Sequence, residues 1–210
     1  MRIVKEAEER KNEILDVAGR LFNENGYDAT STNDILKEIG IARGTLYYHF
    51  KSKEEILDAL IDRMTGQMIK KAKSIVSQKD IHVLQRFTMM MLSLNISDSN
   101  FGHEVLEQVH KPQNALMHRK IQEKLLSEVT PLIAELIKDG NAQGICRTDY
   151  PYEVAEMTFL YSYIAFDDLS EYTDAEKKKK MTAFIYNLER LLNMDQGSME
   201  TIIRPLFGQN

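Results

Sequence analysis

The chain has 210 residues, 43% of them hydrophobic and 28% charged, with a net charge of −5. That is an ordinary globular balance, with room for one large domain or a small one joined to a larger one, and a core can form without covalent staples. The single cysteine, Cys146, excludes an internal disulfide framework, the charged start MRIVKEAEERKNEIL lacks the apolar centre of a secretory leader, and no stretch approaches the roughly 18 uninterrupted apolar residues of a membrane span, so a cytoplasmic protein is expected.

Nearly everything reads as helix, and the expected fold class is all-α. Ile14, Leu15, Ala18, Leu21 and Phe22 form one apolar stripe, stopped by Asn25-Gly26. Thr30, Ser31 and Thr32 offer caps for a short helix holding Ile35, Leu36 and Ile39, which Gly40 ends. A second short helix follows from about Ala42 to Phe50. In SKEE, Ser52 can cap a helix while Glu55 bonds back; Ile56, Leu57, Leu60, Ile61, Met64 and Met68 then stripe it. Beyond Lys79 the pattern predicts helices over about Ile81 to Ile96, Phe101 to His110, and Gln113 to Gly140 with a kink at Pro131. Pro151 suits the first turn of the next helix, Val154 to Leu169, which is apolar on more than one side. Thr173 and Glu176 form a second capping box before a helix striped by Met181, Phe184, Ile185, Leu188, Leu191 and Leu192. Residues 195–210 read as a frayed tail or a short appended helix.

Charge divides the chain near residue 53. Residues 1–53 carry 9 Lys or Arg and 9 Asp or Glu, whereas residues 54–210 carry 18 and 23. The expected organisation is a head over 1–53, a helical body over 54–194 and a tail over 195–210. Residues 41–53 hold Arg43, Lys51 and Lys53 and no acid. At about 100° per residue, Ala42, Leu46 and Phe50 share one face of their helix. Gly44 and Tyr48 point away, Thr45 and Tyr47 flank them, and Arg43 and His49 stand at the border. Two short helices joined by a Gly-containing turn make a helix-turn-helix unit, whose second helix enters the major groove of DNA. Its outer face is small, hydroxylic and cationic, suited to phosphates and base edges. The residues alone leave open whether Tyr47 and Tyr48 meet DNA or cover the boundary between head and body.

The stretch NGYDATSTNDILKEIGIARGTLYYHFKSKEEIL, residues 25–57, resembles the DNA-binding domain of the TetR family of bacterial transcriptional regulators, and DGNAQGICRTDYP, residues 139–151, resembles a loop of that family. The resemblance implies an all-helical homodimer with DNA-reading heads and effector-binding bodies, a repressor released from a palindromic double-stranded operator by a small molecule. Carried over by position, the DNA contacts are Thr32, Arg43, Gly44, Thr45, Tyr47, Tyr48, His49 and Lys53. Ile41-Ala42 depart from the small polar residues common there. An effector cavity among the body helices would draw on Phe87, Met90, Met91, Phe101, His110 and Tyr161. Apolar surface to spare places the dimer contact on helices near 152–169 and 175–193.

Other chemistry is sparse. His103, Glu107 and His110 share one helical face, and Glu107-His110 has the Glu-x-x-His spacing of carboxylate-bridged metals, so a metal sensor or metal-dependent enzyme is the alternative. No nucleophile elbow and no Gly-rich phosphate loop is present. The expectation is a protein that is no enzyme and needs no cofactor or metal.

Overall fold

A computed structural model describes residues 7–94, 114–166 and 172–206. Among these residues the secondary structure is helical: α1 Ala7–Asn25, α2 Thr32–Ile39, α3 Arg43–His49, α4 Lys53–Val76, α5 Val83–Ser93, α6 Ala115–Ala142, α7 Pro151–Ala165, α8 Asp174–Leu191 and α9 Glu200–Leu206. No helix among them is long and apolar enough to cross a membrane. The helix expected over Phe101 to His110 lies outside the described residues. The chain forms two compact units, Met1–Gly66 with Ser97–Gln122 and Gln67–Ile96 with Glu123–Asn210.

In the first unit the α1 stripe of Ile14, Leu15, Ala18, Leu21 and Phe22 is buried as the spacing requires. Gly19 lets α1 close on α4: a Cβ there would stand 3.3 Å from a Leu60 methyl. Arg63 of α4 pairs with Asp16 of α1 at 2.8 Å. Lys120 on α6 pairs with Glu54 at 2.9 Å and Asp58 at 2.8 Å on α4. The cap of α2 is Ser31, and Thr32 is the first helical residue. Ser31 is extended and its hydroxyl accepts from the Asp34 N–H, while the Asp34 carboxylate accepts from the Ser31 N–H at 2.8 Å. The predicted Ser52–Glu55 box is half kept. Ser52 Oγ accepts from the Glu55 N–H at 3.1 Å, but Glu55 reaches back to the N–H of Lys51.

The second unit corrects several boundaries. α5 starts at Val83 because the Nδ1 of His82 accepts from the Leu84 N–H, and it ends at Ser93. α6 passes through both Pro131 and Gly140 to Ala142. Gly140 is no terminator: a Cβ there would lie 2.8 Å from the Sγ of Cys146, so the glycine makes room for the returning loop. Gly144, at φ 71°, takes the left-handed turn instead. Asn141 holds that loop, donating to Thr148 O at 2.8 Å and accepting from the Thr148 N–H at 3.1 Å. Pro151 does occupy the first turn of α7, which ends at Ala165 rather than Leu169. The Thr173–Glu176 box is present, and of the α8 stripe only Leu191 faces outward. The tail forms α9. Glu189, buried on α8, accepts from the N–H groups of Gly197 and Met199, each at 2.9 Å, and so fixes the approach to that helix.

Arg86 is fully buried on α5. Its guanidinium donates to Ile81 O at 3.0 Å, Val76 O at 2.8 Å and the Asp139 carboxylate at 2.7 Å, tying the end of α4 and the start of α5 to α6. Lys79 reaches the same carboxylate at 2.6 Å. Burial pushes the Asp139 carboxyl up, but hydrogen bonds from Lys79 and Arg86 outweigh it and hold the group below the usual aspartate range. A lowered folded pKa stabilises above the unfolded value, about pH 4, and that stability is lost as pH falls through the folded value. Asp139→Asn leaves Arg86 buried without its counter-charge and should cost about 3–5 kcal/mol in urea unfolding at pH 7. Lys79→Ala removes a half-exposed partner and should cost under ~1 kcal/mol. The Asp139→Asn deficit should narrow as the pH falls below about 4; a deficit that is equal at pH 7 and pH 3 contradicts this assignment.

Candidate functional site

The surface of interest is built from the turn beneath it. Gly26, at φ 88°, ends α1, and Tyr27 folds back to put its ring edge-on to Phe22 at 5.2 Å. Thr30, buried, donates its hydroxyl to Gly26 O at 2.8 Å. Lys53, the first residue of α4, closes the arrangement. Its ammonium donates to Tyr27 O at 2.7 Å and Thr30 O at 2.9 Å and lies 4.1 Å from the centroid of the Tyr27 ring. Lys53 thus clamps the α1–α2 turn to the start of α4. Nothing in the spacing of residues 27, 30 and 53 announces this contact, since it spans about two dozen residues and uses backbone carbonyls.

Gly40, at φ 73°, then turns the chain from α2 into α3. Leu46 and Phe50 are buried at 1% and 2% exposure and anchor α3 from below. The opposite face is open. A Cβ on Gly44 would meet nothing within 4 Å, and Tyr48 is 74% exposed with its ring edge-on to His49 at 5.0 Å. Arg43 is exposed, and its guanidinium stands 5.5 Å from the centroid of the Tyr47 ring. Tyr47 is half-buried; hydrogen bonding with the side chains of Thr32, first, and Arg43 holds its phenol below the usual tyrosine range. Thr45 is half-buried on the other flank. The structure therefore gathers Thr32, Arg43, Gly44, Thr45, Tyr47, Tyr48 and His49 around α3. It places Lys53 behind them, with two of its protons given to carbonyls.

The residues named for an effector do not share one place. A cavity of about 60 Å³ in the second unit is lined by Val83, Phe87, Ile137, Cys146, Leu188 and Met199 among others. Its Thr158 hydroxyl is already bonded to Val154 O at 2.6 Å, and burial pushes the Cys146 thiol up. Phe87 lines this cavity. Met90 is fully buried and Met91 half-buried on α5. Tyr161 lies in a different hollow of about 190 Å³ on the outer side of α7 and α8, stacked on Phe184 at 5.6 Å. Phe101 and His110 lie outside the described residues, as do His103 and Glu107. Among the described residues, no three His, Cys, Asp or Glu side chains gather as metal ligands.

Comparison with known proteins finds two family models. Residues 14–60 match bacterial regulatory proteins of the tetR family, and residues 96–186 match the tetracyclin repressor-like C-terminal domain. The chain is 30% identical over 156 residues to the HTH-type transcriptional repressor KstR2 of Rhodococcus jostii (strain RHA1), covering 70% of this chain and 72% of that protein. It is 27% identical over 135 residues to the fatty acid metabolism regulator protein of Bacillus subtilis (strain 168), covering 63% and 68%. Among solved structures, the fatty acid degradation regulator FadR from Bacillus halodurans shares the fold at a TM-score of 0.59 and 20% identity, covering 99% of this chain and 95% of that one.

A glycine inside a helix costs about 0.5–1 kcal/mol relative to alanine, and no neighbour here demands one. Gly44→Ala should therefore raise stability by about that amount in denaturant unfolding. A loss of stability would show that the protein itself needs the glycine.

Proposed function

The chain belongs to the TetR family of bacterial regulatory proteins and is a DNA-binding transcriptional regulator controlled by a small-molecule effector, and from that premise we propose that α3 is the helix that enters the operator's major groove. The observation that carries this is the open outer face of α3: a glycine that nothing in the protein requires, beside a tyrosine 74% exposed, in a stretch without acids. Gly44 lets the helix approach closely. Tyr48, His49 and Thr45 offer donors to phosphate and sugar, and Arg43 and Tyr47 stand toward the groove. Thr32 supports from the first turn of α2. Lys53, expected at a phosphate, acts from behind as the clamp that sets the height of α3. The functional head is residues 1–53, with α4 as the lever leading out of it, the body 54–194 and the tail 195–210.

A homodimer would present two heads to half-sites about 34–36 Å apart or a multiple of that. Met157, Leu160, Tyr161 and Ile164 support this: they recur at i, i+3, i+4 and i+7 on α7, and Ile164 is 69% exposed. With Tyr186 and Leu191, exposed on α8, they form the face a second copy would cover. The effector's apolar part would enter the cavity beside Phe87, and repression would be relieved because the effector prefers the conformation that DNA does not. The Rhodococcus relative is named a repressor, which supports that sign of control. A metal-dependent reading through His103, Glu107 and His110 gains no support from relatives named as regulators.

Gel shifts on the DNA flanking the chain's own gene test the reading. Tyr48→Ala should weaken binding to every sequence while leaving the salt slope nearly unchanged, because a neutral phenol displaces no counterion. Gly44→Ala, though more stable, should bind more weakly. Equal binding by wild type and both variants would sink the assignment of α3. Ile164→Glu should convert the dimer to a monomer by light scattering at micromolar concentration, and lose the two-headed complex; an unchanged mass would contradict the α7–α8 face.

A further inference from the structure

We propose that Arg43 reads one guanine in each half-site, its guanidinium held toward the base edges by the ring of Tyr47. This rests on the DNA-binding reading of α3 and specifies what that helix recognises.

Three observations converge. Arg43 is the first residue of α3 and exposed, and its guanidinium lies over the face of Tyr47 one helical turn along, 5.5 Å from the ring centroid. A guanidinium over an aromatic face is attracted by the ring's quadrupole, and the stacking narrows the choices of a long, mobile side chain. Tyr47 is itself half-buried on the flank of α3. The stacking of Arg43 on Tyr47 therefore exists before any DNA arrives, which lowers the ordering cost of binding. Residues 41–53 contain no carboxylate that could hold the guanidinium away.

The chemistry of the donor selects the base. A guanidinium only donates, through paired N–H groups in one plane. In the major groove guanine alone offers two adjacent acceptors, O6 and N7, whereas adenine sets a donor beside its N7 and cytosine offers a donor. A phosphate would also accept two such bonds. However, the N-terminal residues of a helix-turn-helix reading helix face base edges, and Gly44 next to Arg43 lacks the Cβ that would hold the helix off them.

The test uses the full chain. Duplexes bound by wild type are selected from a random library. Each guanine of the selected site is then replaced in turn by 7-deazaguanine, which lacks the N7 acceptor. One guanine per half-site should be found where the replacement weakens wild type about ten-fold. At that guanine Arg43→Ala should show no further loss. Tyr47→Ala should reduce the discrimination at that guanine more than it weakens binding to unselected DNA, and Tyr47→Phe, which keeps the ring, should retain more of it than Tyr47→Ala. Should Tyr47→Ala fail to fold, the base replacement, which alters only the DNA, decides the matter in wild type and Arg43→Ala. The proposal is overturned if no guanine is sensitive, or if the sensitive guanine stays equally sensitive in Arg43→Ala. If wild type selects no sequence at all, the DNA-binding reading falls and takes this inference with it.

Discussion

The ammonium of Lys53, held by the carbonyls of Tyr27 and Thr30 and by the face of the Tyr27 ring, fixes the geometry on which the head depends. The carbonyls belong to a turn between α1 and α2, where Tyr27 O also accepts from the Thr30 N–H at 3.3 Å. The Lys53 side chain adds a charge-assisted partner to each and ties the start of α4 to that turn. The position of α3 follows, because Leu46 and Phe50 are its buried anchors and its outer side chains are free of structural duty. Leu46 and Phe50 hold the helix from beneath, and under the proposed reading recognition falls to the atoms above it.

The second unit shows the same separation. Its buried Arg86 is turned to backbone carbonyls and to Asp139, which the half-exposed Lys79 also reaches, and Glu189 is turned to the N–H groups before α9. The cavity nearby is left to apolar walls, apart from a thiol and a hydroxyl that already have partners. A ligand seated there would meet hydrocarbon and no free charge. Arg86 and Phe87 are neighbours on α5, as are Asp139 and Gly140 on α6, so the walls of the cavity and the ion pair share their helices.

Much of this was legible in the sequence. Apolar spacing at 3.6 residues placed the helices, and the split of α3 into Leu46 and Phe50 below and Gly44 and Tyr48 above survives in the structure. Capping chemistry located the start of α8 at Thr173. Where the structure adds to the sequence reading or differs from it, the deciding contact is tertiary. Ser31 and Thr32 are both good caps, and only the backbone at Ser31 chooses between them. Gly140 looked like a stop signal because a glycine that ends a helix and one that admits a sulfur are the same letter. Lys53 looked like a free cation because its partners are carbonyls, which no side-chain pattern reveals. Tyr161 carried the apolar character expected of a ligand wall, but its helix is apolar all round, and periodicity cannot say which apolar side faces a cavity.

The most direct test is an amide chemical-shift map of the protein titrated with a duplex taken from the DNA flanking its gene. The account predicts that the largest changes fall on Thr32 and on Arg43 to His49, with Leu46 and Phe50 moving less than Gly44 and Tyr48. Changes centred instead on the lysine run Lys177 to Lys180, with α3 unmoved, would contradict it.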